Sequence, residues 1–565
     1  MAGITSRIRK GTYPLPLDVA LLLRLCGWLF ALMGLAAMLF LAPRTLYADP
    51  WRFVARLIRT PWPANVLAAD NGHREVLPNL VRLAELEFMG GGQWLQIVVG
   101  VLLALSTFWL MCRLVATDRL APAVRAAAFL VVAASIFWLG NQRGLAHGNE
   151  SVHLYLVTLF LVAGVTFLLR GGDGRILLAV ACGVLASFSF GAGVAVFAGY
   201  AAILFLRRAC WRHWVLLGLG PVLVLAANGL AWDGGERMPA LALSPLVQLD
   251  LLLRWLASPF IYAAWPVLDP DIASRVPVLA GALAPLAAAY QSVFGPVMVS
   301  RWPHALVGLV GLVLLARLTW LAWRRGGVVG NSEALGLAMA WFGLAVGGLI
   351  VLARMDYFLV APAQLAASRY VPWSSLFWAG LALAALGRPS LRFPRRAASI
   401  ALVGACLILP STAWTGMLAR RASGVAERVA AAAAANVVDP DEEMGENVPS
   451  EVAEAIPALR ASRAEMFSWP EVRWLEDGRI PGAADITRLP GDPAPVIEPV
   501  RNLLGQPAWR VEFEMKGLGK ERLVLACGDR PVGFAIRAGG GTGNSWVGWT
   551  SAPVDAACLA VARTQ

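Results

Sequence analysis

Charge is what this chain has least of. Only 15% of its 565 residues are Asp, Glu, Lys or Arg, against about 25% in soluble domains, and this excludes an ordinary water-soluble enzyme. Lysine is nearly missing: Lys10, Lys516 and Lys520 are the whole complement, so arginine carries the net charge of +12. The five histidines and seven cysteines contain no HExxH, CxxC or similar spacing, which argues against a built-in metal centre. Internal repeats and matching transporter-like halves are also lacking. The first apolar run is too long for a cleavable signal peptide, so the first span is expected to stay attached.

What the chain has in excess is apolar surface. Hydrophobic residues make up 58% and fall in blocks of roughly 15 to 25, enough to cross about 30 Å of hydrocarbon as helices. The expected fold is mainly α: a polytopic transmembrane bundle of 11 to 13 spans over residues 1–418. Arginines beside the spans set the topology, so the basic charge is read as orientation rather than nucleic-acid binding. The N-terminus, with Arg7, Arg9 and Lys10, is expected in the cytoplasm. Loops 43–92, 141–153 and 354–371 are then extracytoplasmic. The apolar run 176–206 is read as two short helices turning at SFSFGAGV, and 249–294, split by LDPDIASR, as two spans or two interfacial helices. Trp51, Trp62 and the Arg52, Arg56, Arg59 run suit a helix lying in the membrane interface.

After residue 418 the composition turns polar. Residues 419–445 read as an Ala-rich helical and acidic linker. Residues 446–565 read as a small extracytoplasmic α+β or β-sandwich-like domain, with strands in WRVEFEMKG, ERLVLACG, VGFAIRAGG and SWVGWTS. Cys527 and Cys558 both fall there and are placed to form a disulfide.

Most ionisable residues that hydropathy leaves unexplained lie in the three outer loops. Loop one offers Asp70, His73, Arg74, Glu75, Asn79, Arg82 and Glu85; loop two offers Arg143, His147, Glu150 and His153; the late loop offers Arg354, Asp356, Tyr357, Gln364, Arg369 and Tyr370. If helical, the segment around Asp70 puts that acid, His73 and Arg74 within one turn. A base beside fixed cations is what a reaction needs when it deprotonates an acceptor hydroxyl and releases a phosphate. The plainer reading of Asp70 and Arg74 is an i,i+4 pair on a solvated helix.

The run DNGHREVLPNLVRLAELEF resembles the Asn-x-His-Arg, Pro-x-Leu-Val, acidic-Leu pattern in the first outer loop of bacterial membrane proteins similar to GT-C glycosyltransferases. SFSFGAGV and ASRYVPWSSLFW resemble that group at comparable places, so the likeness spans about the first 390 residues. It implies an inner-membrane enzyme that moves a sugar from a polyprenyl-phosphate donor to an envelope glycan or lipid acceptor, with an acid in loop one as base. Relatives often carry Glu at the place of Gly72, so the acid here is assigned to Asp70 first and Glu85 second, with His73 beside them. Arg369, helped by Arg354 or Arg74, takes the phosphate. Some such enzymes use a divalent ion, which outer-loop carboxylates can hold. Partner proteins would meet the C-terminal domain. The competing readings are a polysaccharide polymerase or ligase, and a non-catalytic transporter or scaffold with charge buried along its spans.

Overall fold

The computed structural model describes residues 18–70, 72–230, 243–268, 285, 288–289, 292, 302–388, 394–442, 448–482, 484–489, 493–516, 522–538 and 544–563. The N-terminal basic residues, residues 269–275 of LDPDIASR and part of RPSLRFPRR lie outside them. Among the described residues, eight helices are long and apolar enough to cross a membrane, and two shorter apolar helices accompany them.

The chain begins with α1 (Asp18–Phe40), then folds loop one as α2 (Pro50–Arg59), α3 (Ala64–Leu67), a hairpin of β1 (Ala69–Asp70) and β2 (His73–Arg74), and α4 (Val76–Met89). The bundle continues with α5 (Trp94–Ala116), α6 (Pro122–Phe137), α7 (Gln142–Leu145), α8 (Gly148–Arg170), α9 (Asp173–Ser187), α10 (Val196–Leu206) and α11 (Trp211–Leu230). It goes on through α12 (Pro245–Leu256), α13 (Ser258–Leu268), α14 (Trp302–Trp323), α15 (Asn331–Val360) and α16 (Val371–Leu386) to α17 (Pro394–Ala434). The run 176–206 is indeed two short helices, joined by a 3-10 turn at Gly191–Ala195.

One end of the bundle gathers the arginines that hydropathy places beside span ends. Arg207 donates to the Leu169 carbonyl at 2.6 Å, Arg325 pairs with Glu333 at 2.5 Å, and Asp118 accepts from the Asn331 and Ser332 N–H groups that open α15. The opposite end carries loop one, the α9–α10 turn and the C-terminal domain.

That domain contains α18 (Val448–Ser462), α19 (Pro470–Asp477) and one seven-stranded antiparallel sheet, among the described residues, in the order β3-β9-β6-β7-β8-β5-β4. The strands are β3 (Asp485–Arg488), β4 (Val496–Val500), β5 (Ala508–Glu514), β6 (Arg522–Cys527), β7 (Arg530–Arg537), β8 (Ser545–Thr550) and β9 (Leu559–Arg563). Of the two expected architectures it is therefore α+β, with helices on one face, rather than a sandwich of two sheets. The alternation of β6 to β8 divides the sheet between two cores: Phe534, Val547 and Trp549 face the helices, while Phe513, Leu523, Ala535 and Trp546 form the far side. Cys527 and Cys558 are bonded.

Two expectations are corrected here. Residues 419–434 are no linker: α17 runs unbroken from the bundle into the C-terminal domain, where Ala430 to Ala434 are buried against the sheet. Alanine's small side chain lets the helix axis sit close to Phe534 and Trp549, and this packing outweighs the polar composition around it. Nor does α2 lie on lipid. Trp51 is 1% exposed and shares that same core with α17 and α18, so its apolar face is covered by protein.

Asp439, just past α17, ties helix to sheet. Its Oδ2 accepts from Arg510 Nε at 3.1 Å and from the Trp549 indole at 3.0 Å, with the carboxylate 1% exposed. Asp439→Ala leaves both donors unmatched and is expected to destabilise the C-terminal domain by about 2–3 kcal/mol, measured as a lowered unfolding midpoint of that domain in detergent.

Candidate functional site

Loop one is built around two arginine sets. In α2 the apolar positions Trp51, Val54, Ala55 and Leu57 turn inward, so Arg52, Arg56 and Arg59 share the opposite face by helical spacing. Arg52 grips Asp70 with both Nε (3.2 Å) and Nη2 (2.7 Å), and Arg56 lies 3.8 Å from the same carboxylate. Asp70 is therefore held by α2. The expected one-turn helix carrying Asp70, His73 and Arg74 is instead a hairpin, because Gly72 takes a left-handed φ of 76° and the register pairs Asp70 with His73. Arg74 is buried and donates to the Leu67 carbonyl rather than meeting Asp70 as an i,i+4 partner.

Beneath the hairpin lies a buried network centred on Glu75, a loop-one acid to which the sequence reading gives no catalytic role. One Glu75 oxygen meets His73 Nε2 at 3.1 Å; the other meets Arg82 at 2.8 Å and His153 of α8 at 3.1 Å. Arg82 also donates to Asn149 at 2.7 Å and to Asn79 at 2.5 Å, and Asn79 reaches the Val66 carbonyl. Burial pushes the Glu75 carboxyl up, but His153 and Arg82 outweigh it and hold the group well below the usual carboxylate range. Phe190, from the α9–α10 turn, stacks on His153 at 5.2 Å and on Trp373 of α16 at 6.0 Å, and meets His73 edge-on. The three short motifs quoted above, far apart in sequence, thus meet around one phenylalanine. Its charged groups face one another inside the protein, although Glu75 Oε2 and His153 Nδ1 make no hydrogen bond, and the network positions loop one.

The more open cluster lies beside it. Asp49, whose side chain is 47% exposed, follows α1 and approaches Arg143 at 4.0 Å. Arg143 also faces Glu150 at 3.4 Å and lies over the Tyr47 ring at 5.3 Å. Arg354 interrupts the helical backbone of α15 (φ −133°, ψ 23°) and donates to Tyr370 Oη at 2.9 Å. Arg369 lies over the Tyr370 ring and donates to Gln364 at 3.4 Å. Burial lowers the Arg369 guanidinium, but Tyr370, Asp49 and Tyr357 raise it by more, so it stays charged. His147 packs against Tyr47 at 4.6 Å, and burial with Arg143 nearby holds it well below its ordinary value, hence neutral.

Of the candidate residues, Arg143, Glu150, Arg354, Tyr357, Arg369 and Tyr370 therefore gather at this cluster. His73 and Asn79 belong to the buried network. Glu85 faces the start of α5, where its Oε2 accepts from the Gln96 N–H at 3.0 Å. The late loop is shorter than expected, since α15 extends to Val360 and carries Arg354 and Tyr357 with it. Asp49 and Tyr47 are the site residues that the sequence reading missed, while Glu75, Arg82 and His153 stood among the outer-loop ionisable residues without an assigned role. The available signal for Asp49 was its place directly after the first span, just before Pro50.

Among the described residues no three His, Cys, Asp or Glu side chains gather as metal ligands. The carboxylates of the open cluster, Asp49 and Glu150, are matched by the Arg143 guanidinium between them. No known family model matches the chain, and no curated protein matches it.

The Glu75 network gives a testable consequence. Glu75→Gln strands the buried Arg82 and is expected to cost about 3–5 kcal/mol at neutral pH. Because the carboxyl is held below its unfolded value, its contribution is complete above the ordinary carboxylate range and disappears as pH falls through the lowered value. Thermal unfolding of both proteins should show a large gap at pH 7 that closes only in strong acid.

Proposed function

We propose that the chain is a multi-pass membrane glycosyltransferase of GT-C kind, moving a sugar from a polyprenyl-phosphate donor to an envelope glycan or lipid acceptor. The observation that carries the reading is the open cluster. A half-exposed carboxylate, Asp49, stands between the guanidiniums of Arg143 and Arg369, with Tyr47, Tyr357 and Tyr370 around them. Arg143, Arg354 and Arg369 outnumber the carboxylates Asp49 and Glu150, and Arg52, shared with Asp70, stands 4.0 Å from Asp49, which leaves positive charge for an anionic substrate.

In this reading the acceptor hydroxyl oxygen attacks the anomeric carbon as the bond from that carbon to the phosphate oxygen breaks. Asp49 takes the hydroxyl proton, and Arg143 with Arg369 stabilises the charge developing on the departing lipid phosphate. Attack opposite the leaving group inverts the anomeric centre. The exposed ring of Tyr357 suits stacking against a sugar face. Asp70 is disfavoured as the base because Arg52 and Arg56 already occupy it, and Glu85 because it is buried away from the cluster.

The same reading places the bundle in a bacterial inner membrane. The arginine-rich end faces the cytoplasm, and the loop end, with the C-terminal domain, faces the periplasm. Eleven or thirteen crossings both satisfy this parity. The C-terminal domain then stands beside the cluster, where an acceptor or a partner protein would approach.

Purified protein supplied with a panel of polyprenyl-phosphate sugars and envelope acceptors tests the reading. Asp49→Asn and Arg369→Gln are each expected to lower transfer by roughly 10²–10³-fold without loss of folding, while Asp70→Asn retains most activity. Transfer that survives Asp49→Asn and is abolished in well-folded Asp70→Asn would reject this site. No transfer from any donor in the wild type would reject the enzyme class.

A further inference from the structure

Where the C-terminal domain meets loop one, two buried glutamates border the same small cavity. Glu85 of α4 is 1% exposed and Glu465, in the short turn Glu465–Ser468, is 2% exposed. Glu465 Oε1 accepts from Gln93 Nε2 at 2.8 Å, and Gln93 in turn accepts from Gln96, whose backbone N–H holds Glu85 Oε2. The Glu465 N–H donates to the Gly90 carbonyl at 2.6 Å. Gly91, at φ 88°, leaves room for the Glu465 carboxyl: a Cβ there would stand 2.9 Å from its Oε1. One oxygen of each acid, Glu85 Oε1 and Glu465 Oε2, is buried with no hydrogen-bond partner. Both acids line a cavity of about 20 Å³, room for one water.

Charge decides the state of this pair. The segment after α1 contributes Arg44, which attracts Glu85, and α5 contributes the N–H groups of Trp94, Leu95 and Gln96 at its positive end. These suffice for one carboxylate. Arg82 of α4 also lines the cavity but is committed to Glu75, and Asn149 of α8, Gln93 and Gln96 are neutral. On the C-terminal side, Arg460 lies over Phe467 and Arg522 over Trp469, and neither shifts Glu465. Two ionised carboxylates buried here would face one cation, a state too costly to hold.

We propose that Glu85 and Glu465 share a single proton across this junction. Glu465 Oε2 carries it as a carboxylic acid and Glu85 Oε1 accepts it, directly or through one water, latching the C-terminal domain to loop one until rising pH removes the proton. Burial and the Glu85 charge push Glu465 well above the usual carboxylate range, in agreement with that state. The sign follows: a raised carboxyl contributes attachment at low pH and loses it as pH climbs through the raised value. Since α4 carries both Glu85 and Arg82, release of the latch reaches the buried network that positions loop one. The inference does not rest on the transfer reaction.

The test uses the full chain in nanodiscs, with hydrogen–deuterium exchange of residues 88–93 and 464–468 followed from about pH 6 to 9 and corrected for intrinsic exchange. In the wild type, protection of both segments should fall together, by up to about tenfold per pH unit for one proton. Glu465→Gln, whose amide N–H donates to Glu85 without titrating, should stay protected throughout. Infrared spectroscopy adds a direct readout: a protonated-carboxyl C=O band in the wild type at pH 7 that Glu465→Gln lacks and that fades as protection falls. A wild type without that band, protection in the wild type that does not change with pH, or a Glu465→Gln protein that titrates like the wild type overturns the proposal. Should Glu465→Gln misfold, the band and the protection of the wild type still decide, since they must disappear together.

Discussion

The buried pairing of Arg82 with Glu75 is the constraint on which the loop end of this molecule depends. Placing a carboxylate and a guanidinium in a protein interior is costly unless each finds its full set of partners. Here the partners come from three places: His73 in the hairpin, Asn79 in α4, and Asn149 and His153 at the start of α8. Satisfying the pair therefore fixes loop one against the bundle. The same pairing settles where Asn149 sits, and with it the neighbouring Glu150 that faces Arg143.

Around this network the structure separates two uses of polar residues that look alike in sequence. Some carboxylates are tightly held: Glu75 pairs with Arg82 at 2.8 Å and Asp439 with Arg510 and Trp549 in the interior, and Asp70 pairs with Arg52 at 2.7 Å nearer the surface. At the open cluster the matching is looser, with contacts of 3.4 to 4.0 Å around Asp49, Arg143 and Glu150 and much of Asp49 in solvent. Loose, half-solvated charge beside aromatic rings is suited to exchanging partners, whereas saturated buried charge holds shape. This difference shifts the chemical reading from Asp70 to Asp49.

Much of the helical framework was legible. Spans end at arginines, the Gly191 and Gly193 region breaks 176–206 into two helices, and the run from Trp509 alternates as strands do, because each follows from local hydropathy or backbone preference. The candidate site was legible in part. That Arg143, Glu150, Arg354, Arg369 and Tyr370 would converge followed from counting loop sides. The surroundings of Asp70 were misread because a helix was assumed where Gly72 turns a hairpin. The Ala-rich stretch was misread as a linker because helix propensity carries no information on what a helix packs against.

By itself, the sequence determined the broad class of this protein: apolar runs too long and too many for a soluble core, arginines at their ends, and a polar, strand-containing domain after them. Those properties are local and additive along the chain. Only the tertiary structure decided which carboxylates are occupied and which are open, that α17 joins the two parts as one helix, and that Glu85 and Glu465, 380 positions apart, border the same small cavity. The reason is that a carboxylate's state depends on which cations and dipoles lie within a few ångströms of it, and packing between distant segments sets those neighbours.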